Sequence, residues 1–314
     1  MKKLFFALLR RAGVARLVAW RHRKRTVILC YHSVTRWAGL IPNEYKLHAP
    51  LPLFASHLDY LQRHCNVVSL EEYLAARREG RALPDYSVIL TFDDGTRNFF
   101  TVVAPTLAER GLPATAFVIT RITSERGDSP FEDEWKPIDD YLYLSWPEVE
   151  ALSRMPGIEI GSHSHTHPDL TILPPEEVER ELRDSYAAIV ERTGKRELAL
   201  AYPHGKTSDL VRETASALGY ACAFTGELGA NDGETDLYEL RRVVIAGDDD
   251  LSTFAARVSG VTWWYDRLRV ALRKTGAKVH ARETGDRRAH ASDSDVHGDA
   301  GLVQMKKPSS ESIP

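Results

Sequence analysis

Cysteine is scarce in this chain, with only three residues among 314. Cys30, Cys65 and Cys222 lie far apart and form no CxxC pair. Disulfide frameworks and thiolate zinc sites need cysteines in pairs or clusters, so the sequence indicates neither. We therefore expect three reduced, buried thiols.

Long hydrophobic runs are also missing. No segment reaches the ~18 apolar residues that a membrane-spanning helix requires. The longest apolar run near the amino terminus, Leu4 to Leu9, is short for a signal-peptide core and is followed by basic residues. These observations favour a cytoplasmic location.

Residues 1–25 mix Leu, Val, Phe and Trp with many Lys and Arg, and we treat them as a leader. This composition is typical of a basic amphipathic helix on an anionic membrane, and a surface helix packed on the domain would also have it. Peripheral contact with the inner membrane through residues 1–26 therefore stays open as one of two interpretations.

Neither sign of charge dominates the chain. The formal net charge is −3, and apolar and charged residues make up 43% and 27% of the sequence. These values are close to the average for globular proteins and give no indication of nucleic-acid binding. The length permits one α/β barrel of roughly 250 residues.

Apolar, β-branched runs alternate with helical patterns, which predicts a parallel sheet with helical crossovers. The seven predicted strands are Thr26 to Tyr31, Ser87 to Phe92, Ala114 to Thr120, Gly157 to Gly161, Leu198 to Tyr202, Ala221 to Thr225 and Arg242 to Ala246. The clearest helical patterns are Phe54 to His64, Leu70 to Arg78, Asn98 to Arg110, Trp146 to Met155, Pro175 to Thr193 and Ser208 to Leu218.

Residues 273–314 are polar and free of aromatics, so we expect a disordered tail there.

Polar side chains follow the ends of four predicted strands: His32, the pair Asp93-Asp94, His163 and the segment Pro203-His204-Gly205. In parallel α/β folds the carboxyl ends of several strands meet at one edge, where functional sites form. We therefore expect these residues to lie together.

The pair Asp93-Asp94 closes an apolar strand and precedes Gly95, which frees the backbone to turn. Neighbouring carboxylates at a strand end point in different directions, so one can bind a metal while the other faces a substrate. An isolated Asp-Asp-Gly is more often a simple turn, and the preceding strand is what favours a site here.

His163 and His167 are four residues apart after the next apolar strand, and Pro168 disfavours a regular helix there. We predict a tight turn that brings the two imidazoles together as metal ligands. His165 lies between them and is assigned a structural role. Two imidazoles and a carboxylate suit a hydrolytic metal site.

These strings resemble the metal-dependent polysaccharide deacetylases of the NodB-homology type, also called carbohydrate esterase family 4. The family's TFDD motif stands at residues 91–94, and its serine-preceded H-x-x-x-H followed by proline stands at residues 162–168. The resemblance covers roughly residues 26–260, within a predicted domain of residues 26–272. Within the family, the chain is similar to the exopolysaccharide-associated branch.

The resemblance implies a distorted (β/α) barrel of about seven parallel strands, the NodB-like deacetylase fold. It also implies removal of acetyl groups from N-acetylated sugars of a polysaccharide or its precursor by metal-activated water, with zinc as the default metal. Carried over by motif, Asp94, His163 and His167 would be the metal ligands, and Asp93 would be the general base.

A third family motif appears at residues 201–205, where the backbone N–H of His204 would stabilise the oxyanion. Many members carry an arginine at the position of Ala201, and we expect Arg242, which begins the last predicted strand, to replace it. A surface arginine is the other interpretation of Arg242. Residues 251–269 lack the late L-x-x-H motif, and His32 in an early Tyr-His dipeptide is the expected general acid.

Two other functions stay open. The same site could hydrolyse an O-acetyl ester or a cyclic amide, and a catalytically silent protein could use the fold as a carbohydrate-binding scaffold. The complete set of aspartates and histidines argues against the silent protein. Aromatic side chains in or beside a predicted rim loop over residues 121–143 could stack on sugar rings: Trp135, Tyr141, Tyr143 and Trp146, the last more typical of packing.

Overall fold

The computed structural model describes residues 2–36, 46–123 and 142–263. Most of the predicted rim loop, with Trp135 and Tyr141, and the whole predicted tail lie outside the described residues. The strands are β1 Val27–Tyr31, β2 Ser33–Thr35, β3 His48–Pro50, β4 Asn66–Val67, β5 Ser87–Phe92, β6 Ala114–Val118, β7 Ile158–Ser162, β8 Ala199–Ala201, β9 Cys222–Leu228 and β10 Leu240–Val244.

Seven parallel strands close into a barrel in the order β1, β10, β9, β8, β7, β6 and β5, and β5 pairs again with β1. The predicted fold class, a distorted (β/α) barrel of about seven parallel strands, is confirmed. Strand β4 pairs with the start of β5, while β2 and β3 form a small separate parallel pair.

Two helices precede the first strand, one follows the last, and the others lie between strands. They are α1 Lys2–Arg11, α2 Val14–His22, α3 Leu51–His64, α4 Leu70–Glu79, α5 Ala104–Ala108, α6 Trp146–Ser153, α7 Pro175–Thr193, α8 Asp209–Ala217 and α9 Leu251–Val258. Among these described helices, none is long and apolar enough to cross a membrane.

Successive side chains of each strand face opposite sides of the barrel wall. In β1, Val27, Leu29 and Tyr31 pack in the large outer core beneath the helices, whereas Ile28 belongs to a second cluster. That second cluster contains Phe117, Phe224 and Leu240, so it fills the barrel interior. Just beyond the carboxyl ends of the strands, the side chains that continue the inward-facing series therefore lie around one site.

Three of the local differences between the predicted elements and the structure have a clear physical reason or consequence. The helix predicted from Asn98 begins as a π-helical turn, Phe99–Val103, before α5, because Pro105 cannot donate the backbone hydrogen bond of a regular helix. The last strand begins at Leu240 rather than at Arg242, so Arg242 lies in mid-strand. The leader is two helices, separated where Gly13 adopts a left-handed φ of 74°.

The leader helices pack on α9 through one apolar face. Phe6 and Ala15 are buried against Ala256 and Val261, with Leu9 partly buried beside them. Helix α9 begins at the side chain of Asp250, which accepts a hydrogen bond from the backbone N–H of Thr253.

Candidate active site

Strand β5 delivers two carboxylates to the carboxyl end of the barrel. Asp93 continues the inward-facing series of the strand, and its backbone N–H donates to the carbonyl of Tyr31. The chain then turns, since Asp94 has φ 71° and Gly95 has φ 64°. A side chain at Gly95 would lie 3.1 Å from the backbone of Val118, so the turn favours glycine for its space as well as its conformation.

Asp93 is held by a buried ion pair with Arg242. Nη1 of Arg242 donates to Oδ1 of Asp93 at 2.7 Å, and the two side chains are 3% and 4% exposed. The guanidinium lies over the rings of Phe117 and Phe224, and its Nε donates to the carbonyl of Thr225. Arg242 is therefore an interior residue, and the interpretation of it as a surface arginine is wrong.

The second carboxylate oxygen of Asp93 faces the site. The Sγ of Cys30 contacts Oδ2 at 3.3 Å, and Nε2 of His163 lies 4.0 Å from the same oxygen. Burial raises the pKa of the Asp93 carboxyl, but the charges of Arg242 and His163 outweigh burial and leave that pKa below its ordinary value. Asp93 is therefore ionised at neutral pH.

His163 and His167 come together on a tight turn after β7, as the sequence predicted. Ser164 and His167 have left-handed φ values of 62° and 64°. The hydroxyl of Ser164 accepts from the backbone N–H of His167, and the two Nε2 atoms lie 3.2 Å apart.

Glu181 on α7 holds this turn from outside. Its carboxylate accepts hydrogen bonds from the backbone N–H groups of His165 and Thr166 and from the hydroxyl of Thr166, at 3.0, 2.8 and 2.6 Å. His165 bonds through Nδ1 to Thr120 at 2.9 Å, which agrees with a structural role.

Asp94, His163 and His167 form a cluster whose ligand atoms all lie within 4.8 Å of one another. Oδ1 of Asp94 is 3.5 Å from Nε2 of His163 and 3.9 Å from Nε2 of His167. Ligands of a tetrahedral ion with bonds of 2.0–2.1 Å lie about 3.3 Å apart, so only small movements separate this cluster from coordination geometry. The donor set fits a divalent metal.

The hydrogen bonding of the histidines also suits a metal. Nδ1 of His163 bonds to the carbonyl of Ala201 at 2.8 Å, which directs the Nε2 lone pair into the cluster. Burial and the neighbouring His163 lower the pKa of His167 to about 3, so its imidazole is neutral and able to ligate. Burial raises the pKa of Asp94, but its hydrogen bond to His163 and the nearby histidines lower it overall.

His32 follows the end of β1 beside the carboxylates. Its Nδ1 is buried without a hydrogen-bond partner among the described residues. His48 lies nearby on β3, and its Nδ1 bonds to Ser33 at 2.8 Å. Burial and the neighbouring His32 lower the pKa of His48 to about 4. The structure thus places two histidines where the sequence predicted one.

His204 adopts φ 58° in a short turn, Pro203–Gly205, after β8. Its ring lies 4.8 Å from the ring of His167. A side chain at Gly205 would meet the backbone of Gly226, so this turn packs directly on β9. The predicted residues Asp93, Asp94, His163, His167, Arg242, His32 and His204 therefore all lie at one end of the barrel.

Sequence reasoning missed Cys30, Glu181 and His48. The alternation of side chains along β1 could have indicated Cys30, which lies two residues before His32 and faces the same side.

Of the two predicted rim aromatics that are described, Tyr143 is buried and forms a β-bridge with Thr96. Trp146 is buried at the start of α6, which agrees with packing.

The polysaccharide deacetylase family model matches residues 80–223. Among curated proteins, YxkH of Bacillus subtilis (strain 168), named as a polysaccharide deacetylase, is 24% identical over 235 residues, which are 74% of this chain and 76% of YxkH. The poly-β-1,6-N-acetyl-D-glucosamine N-deacetylase of Escherichia coli (strain K12) is 26% identical over 219 residues, 61% of this chain and only 32% of that protein.

Solved structures share the fold. The deacetylase PplD of Streptococcus pyogenes, solved in complex with acetate, superposes with a TM-score of 0.64 and 24% identity over 74% of this chain and 98% of that chain. With the barrel, the carboxylate pair and the two-histidine turn in place, the matches show an enzyme that is similar to the polysaccharide deacetylases.

Proposed function

We propose that this enzyme removes acetyl groups from N-acetylated sugars of a polysaccharide or its precursor, with a divalent metal as cofactor. The observation that carries the proposal is the ionised Asp93, clamped by Arg242 and directly adjacent to a two-histidine, one-carboxylate cluster. Sugar binding alone needs neither a clamped base nor a ligand set, so the arrangement favours hydrolysis over a silent scaffold.

In this proposal Asp94, His163 and His167 hold the metal. When bound, a divalent ion such as zinc polarises the acetyl carbonyl and makes water acidic enough to lose a proton near neutral pH. The carbonyl of Ala201 fixes the ring of His163, and Glu181 fixes the turn that carries both histidines.

Asp93 is the proposed general base. Arg242 occupies its Oδ1, so Oδ2 remains to accept the proton of the attacking water. The thiol of Cys30 contacts Oδ2, and burial raises the pKa of that thiol, so Cys30 stays protonated and can donate to the carboxylate. Arg242 thereby takes the place of the arginine that many family members carry at the position of Ala201.

Amide hydrolysis also needs a group that protonates the departing amine, and His32 is our proposal for it. An imidazole has a pKa near neutrality, which suits proton transfer to nitrogen. His32 directly follows the first strand of the barrel, beside the end of β5 that precedes Asp93. The backbone N–H of His204 is the proposed oxyanion donor, a contribution often worth about 3 kcal/mol of barrier.

For substrate we propose a polymer or oligomer of N-acetylglucosamine. Two curated relatives support this class by name, the poly-β-1,6-N-acetyl-D-glucosamine N-deacetylase of Escherichia coli and a chitooligosaccharide deacetylase of Sinorhizobium fredii. The match spans 32% and 58% of these two relatives, so the linkage of the sugars is left to experiment.

The test is acetate release from matched N-acetylated and O-acetylated oligosaccharides by protein loaded with zinc or cobalt. Asp93→Asn is the control, because it keeps the three ligands and removes the base. Release from the N-acetylated set that depends on metal and on Asp93 supports the proposal. Release from only the O-acetylated set would make the enzyme an esterase, and release that persists in Asp93→Asn would remove Asp93 as the base.

A further inference from the structure

A basic cavity lies at the opposite end of the barrel from the active site. It has a volume of about 650 Å3 and is enclosed by the leader helices, by α3 and by the first residues of β1 and β5. This volume falls within the range of about 300–1,000 Å3 typical of small-molecule sites. Six basic side chains line it, namely Arg11, Arg16, His22, Arg25, Arg63 and His64.

The charged side chains that line this basic cavity are all basic. Among the described residues that line it, none is acidic. Arg25 and Arg63 pair with Asp232 and Asp59 at 3.2 and 3.8 Å, whereas no ion pair to Arg11 or Arg16 is found within the described ranges. The positive charge of Arg11 and Arg16 in a concave site favours an anion.

The two histidines of the basic cavity report the same positive field. Burial lowers the pKa of His22, and the charges of Arg25 and Arg21 lower it further. Burial likewise lowers the pKa of His64, and Arg16 and Arg63 lower it further. A bound anion would offset these positive charges and raise the pKa of both histidines.

The leader helices also expose large apolar side chains next to this charge. While Phe6 and Leu9 pack inward, Leu8 and Leu17 are 58% and 64% exposed, and Phe5 and Trp20 are about half exposed. Leu8 and Arg11 are three residues apart on α1, as are Leu17 and Trp20 on α2, so each pair lies on one helical face. Nine of the 41 lysines and arginines lie in residues 2–25, which contain no aspartate or glutamate.

We propose that α1 and α2 dock on an anionic phospholipid surface, with a lipid headgroup phosphate in the basic cavity and the exposed leucines and Trp20 among the acyl chains. An apolar helical face flanked by arginines and free of acidic residues has the charge and amphipathicity that such a surface selects. A soluble phosphate would use the cavity but would not use the exposed apolar side chains.

Docking in this way orients the active site away from the lipid. Val27 and Val88 line the basic cavity at the first residues of β1 and β5, and His32 and Asp93 follow the last residues of the same strands. Five residues of strand separate the two ends by about 16 Å. The active site therefore faces the aqueous phase, where a saccharide can reach it. Docking on the lipid surface does not depend on the catalytic reaction.

The experiment is co-sedimentation of the full chain with vesicles of phosphatidylcholine alone or mixed with phosphatidylglycerol. We expect binding to the mixed vesicles only, weakening as salt is raised. Arg11→Glu with Arg16→Glu should lower the partition coefficient at least about tenfold. The matched control is Lys195→Glu with Arg196→Glu, an exposed basic pair elsewhere on the protein, and it should bind as the wild type does.

Leu8→Ser with Leu17→Ser tests the apolar contribution without changing charge, and both side chains are too exposed to support the fold. This pair should weaken vesicle binding and leave binding of inorganic pyrophosphate, measured by calorimetry, unchanged. Equal binding to both vesicle types, an equal loss in the control pair, or pyrophosphate binding without vesicle binding would each overturn the proposal. None of these readouts depends on acetate release, so failure here is distinct from failure of the proposed reaction.

Discussion

Arg242 and Asp93 form a buried ion pair across the barrel, with Nη1 and Oδ1 2.7 Å apart and a separation of 149 positions along the chain. The pair joins mid-strand β10 to the end of β5 through the barrel interior. Ala201, at the motif position that many family members fill with arginine, belongs to the same buried cluster as Phe117 and Phe224, whose rings face the guanidinium. An arginine therefore reaches this carboxylate from another strand.

Breaking this pair should be costly for the fold. Arg242→Met leaves the Asp93 charge buried without its partner, which typically costs about 3–5 kcal/mol of unfolding free energy. Adding Asp93→Asn removes that stranded charge, so the double variant should recover part of the loss in urea unfolding. Additive losses would mean that the two residues are not coupled. Lys206→Met, which removes the half-exposed partner of Asp169, should cost less than about 1 kcal/mol.

The ligands and the base should separate experimentally. Asp94→Ala or His167→Ala removes one of three metal donors, so we expect loss of bound metal and of activity. Asp93→Asn should retain the metal and lose turnover. Metal content by mass spectrometry, alongside acetate release, checks both expectations, and full loading in Asp94→Ala or His167→Ala would exclude that residue as a ligand.

Glu181 should act on metal affinity through the turn that it holds. Glu181→Gln removes the charge that accepts hydrogen bonds from His165 and Thr166, and loss of such supporting interactions typically weakens metal binding about 10–100-fold. Chelator competition measures the affinity. Glu179→Gln is the matched control on the exposed face of the same helix, where the carboxylate pairs with Arg183, and the metal affinity of this variant should equal that of the wild type. Equal affinities in both variants would leave Glu181 with no such role.

Much of this architecture could be predicted because it is encoded locally. Strand β5 and helix α7 were predicted with the bounds that the structure shows, since an apolar run and a 3.6-residue repeat need no tertiary information. The convergence of His32, Asp93 and His163 followed from parallel strands ending at one edge. These predictions used only spacing and strand polarity.

Other features depend on packing that no local pattern contains. The start of β10 was misplaced by two residues because Leu240-Arg241-Arg242 interrupts the apolar run with the arginine that turns inward to Asp93. Glu181 looks like one more acidic residue of a charged helix until α7 is laid against the histidine turn. His48 could not be predicted as a site residue because the strands β2 and β3 are too short to show an apolar run. Their pairing is what brings His48 close to His32.

The two neighbouring histidines should differ in their effect on rate. His32→Ala should lower the rate constant of deacetylation about 10²–10⁴-fold, the usual contribution of a general acid, while metal content stays at the wild-type level. His48→Gln should have the smaller effect, because His48 bonds to Ser33 and is held neutral by burial. An unchanged rate in His32→Ala, or a larger loss in His48→Gln, would transfer the acid role away from His32.

His57, far from the proposed ligands in sequence, should make stability depend on pH. It is fully buried, stacked on Phe254, and bonded through Nδ1 to the hydroxyl of Tyr31 and through Nε2 to the carbonyl of Asp249. Burial lowers its pKa from 6.5 to about 4. The folded protein therefore resists a proton that the unfolded chain accepts, so this contribution is complete above pH ~6.5 and is lost as the pH falls towards ~4.

The lost stability should amount to about 3 kcal/mol at most, and His57→Gln offers a clean comparison because glutamine can donate and accept hydrogen bonds but does not titrate in this range. Urea unfolding at a series of pH values between about 4 and 8 measures the difference. The free energies of unfolding of wild type and variant should converge as the pH falls, because only the wild type loses the histidine contribution. Curves that stay parallel over this window would show that His57 is not what couples folding to pH.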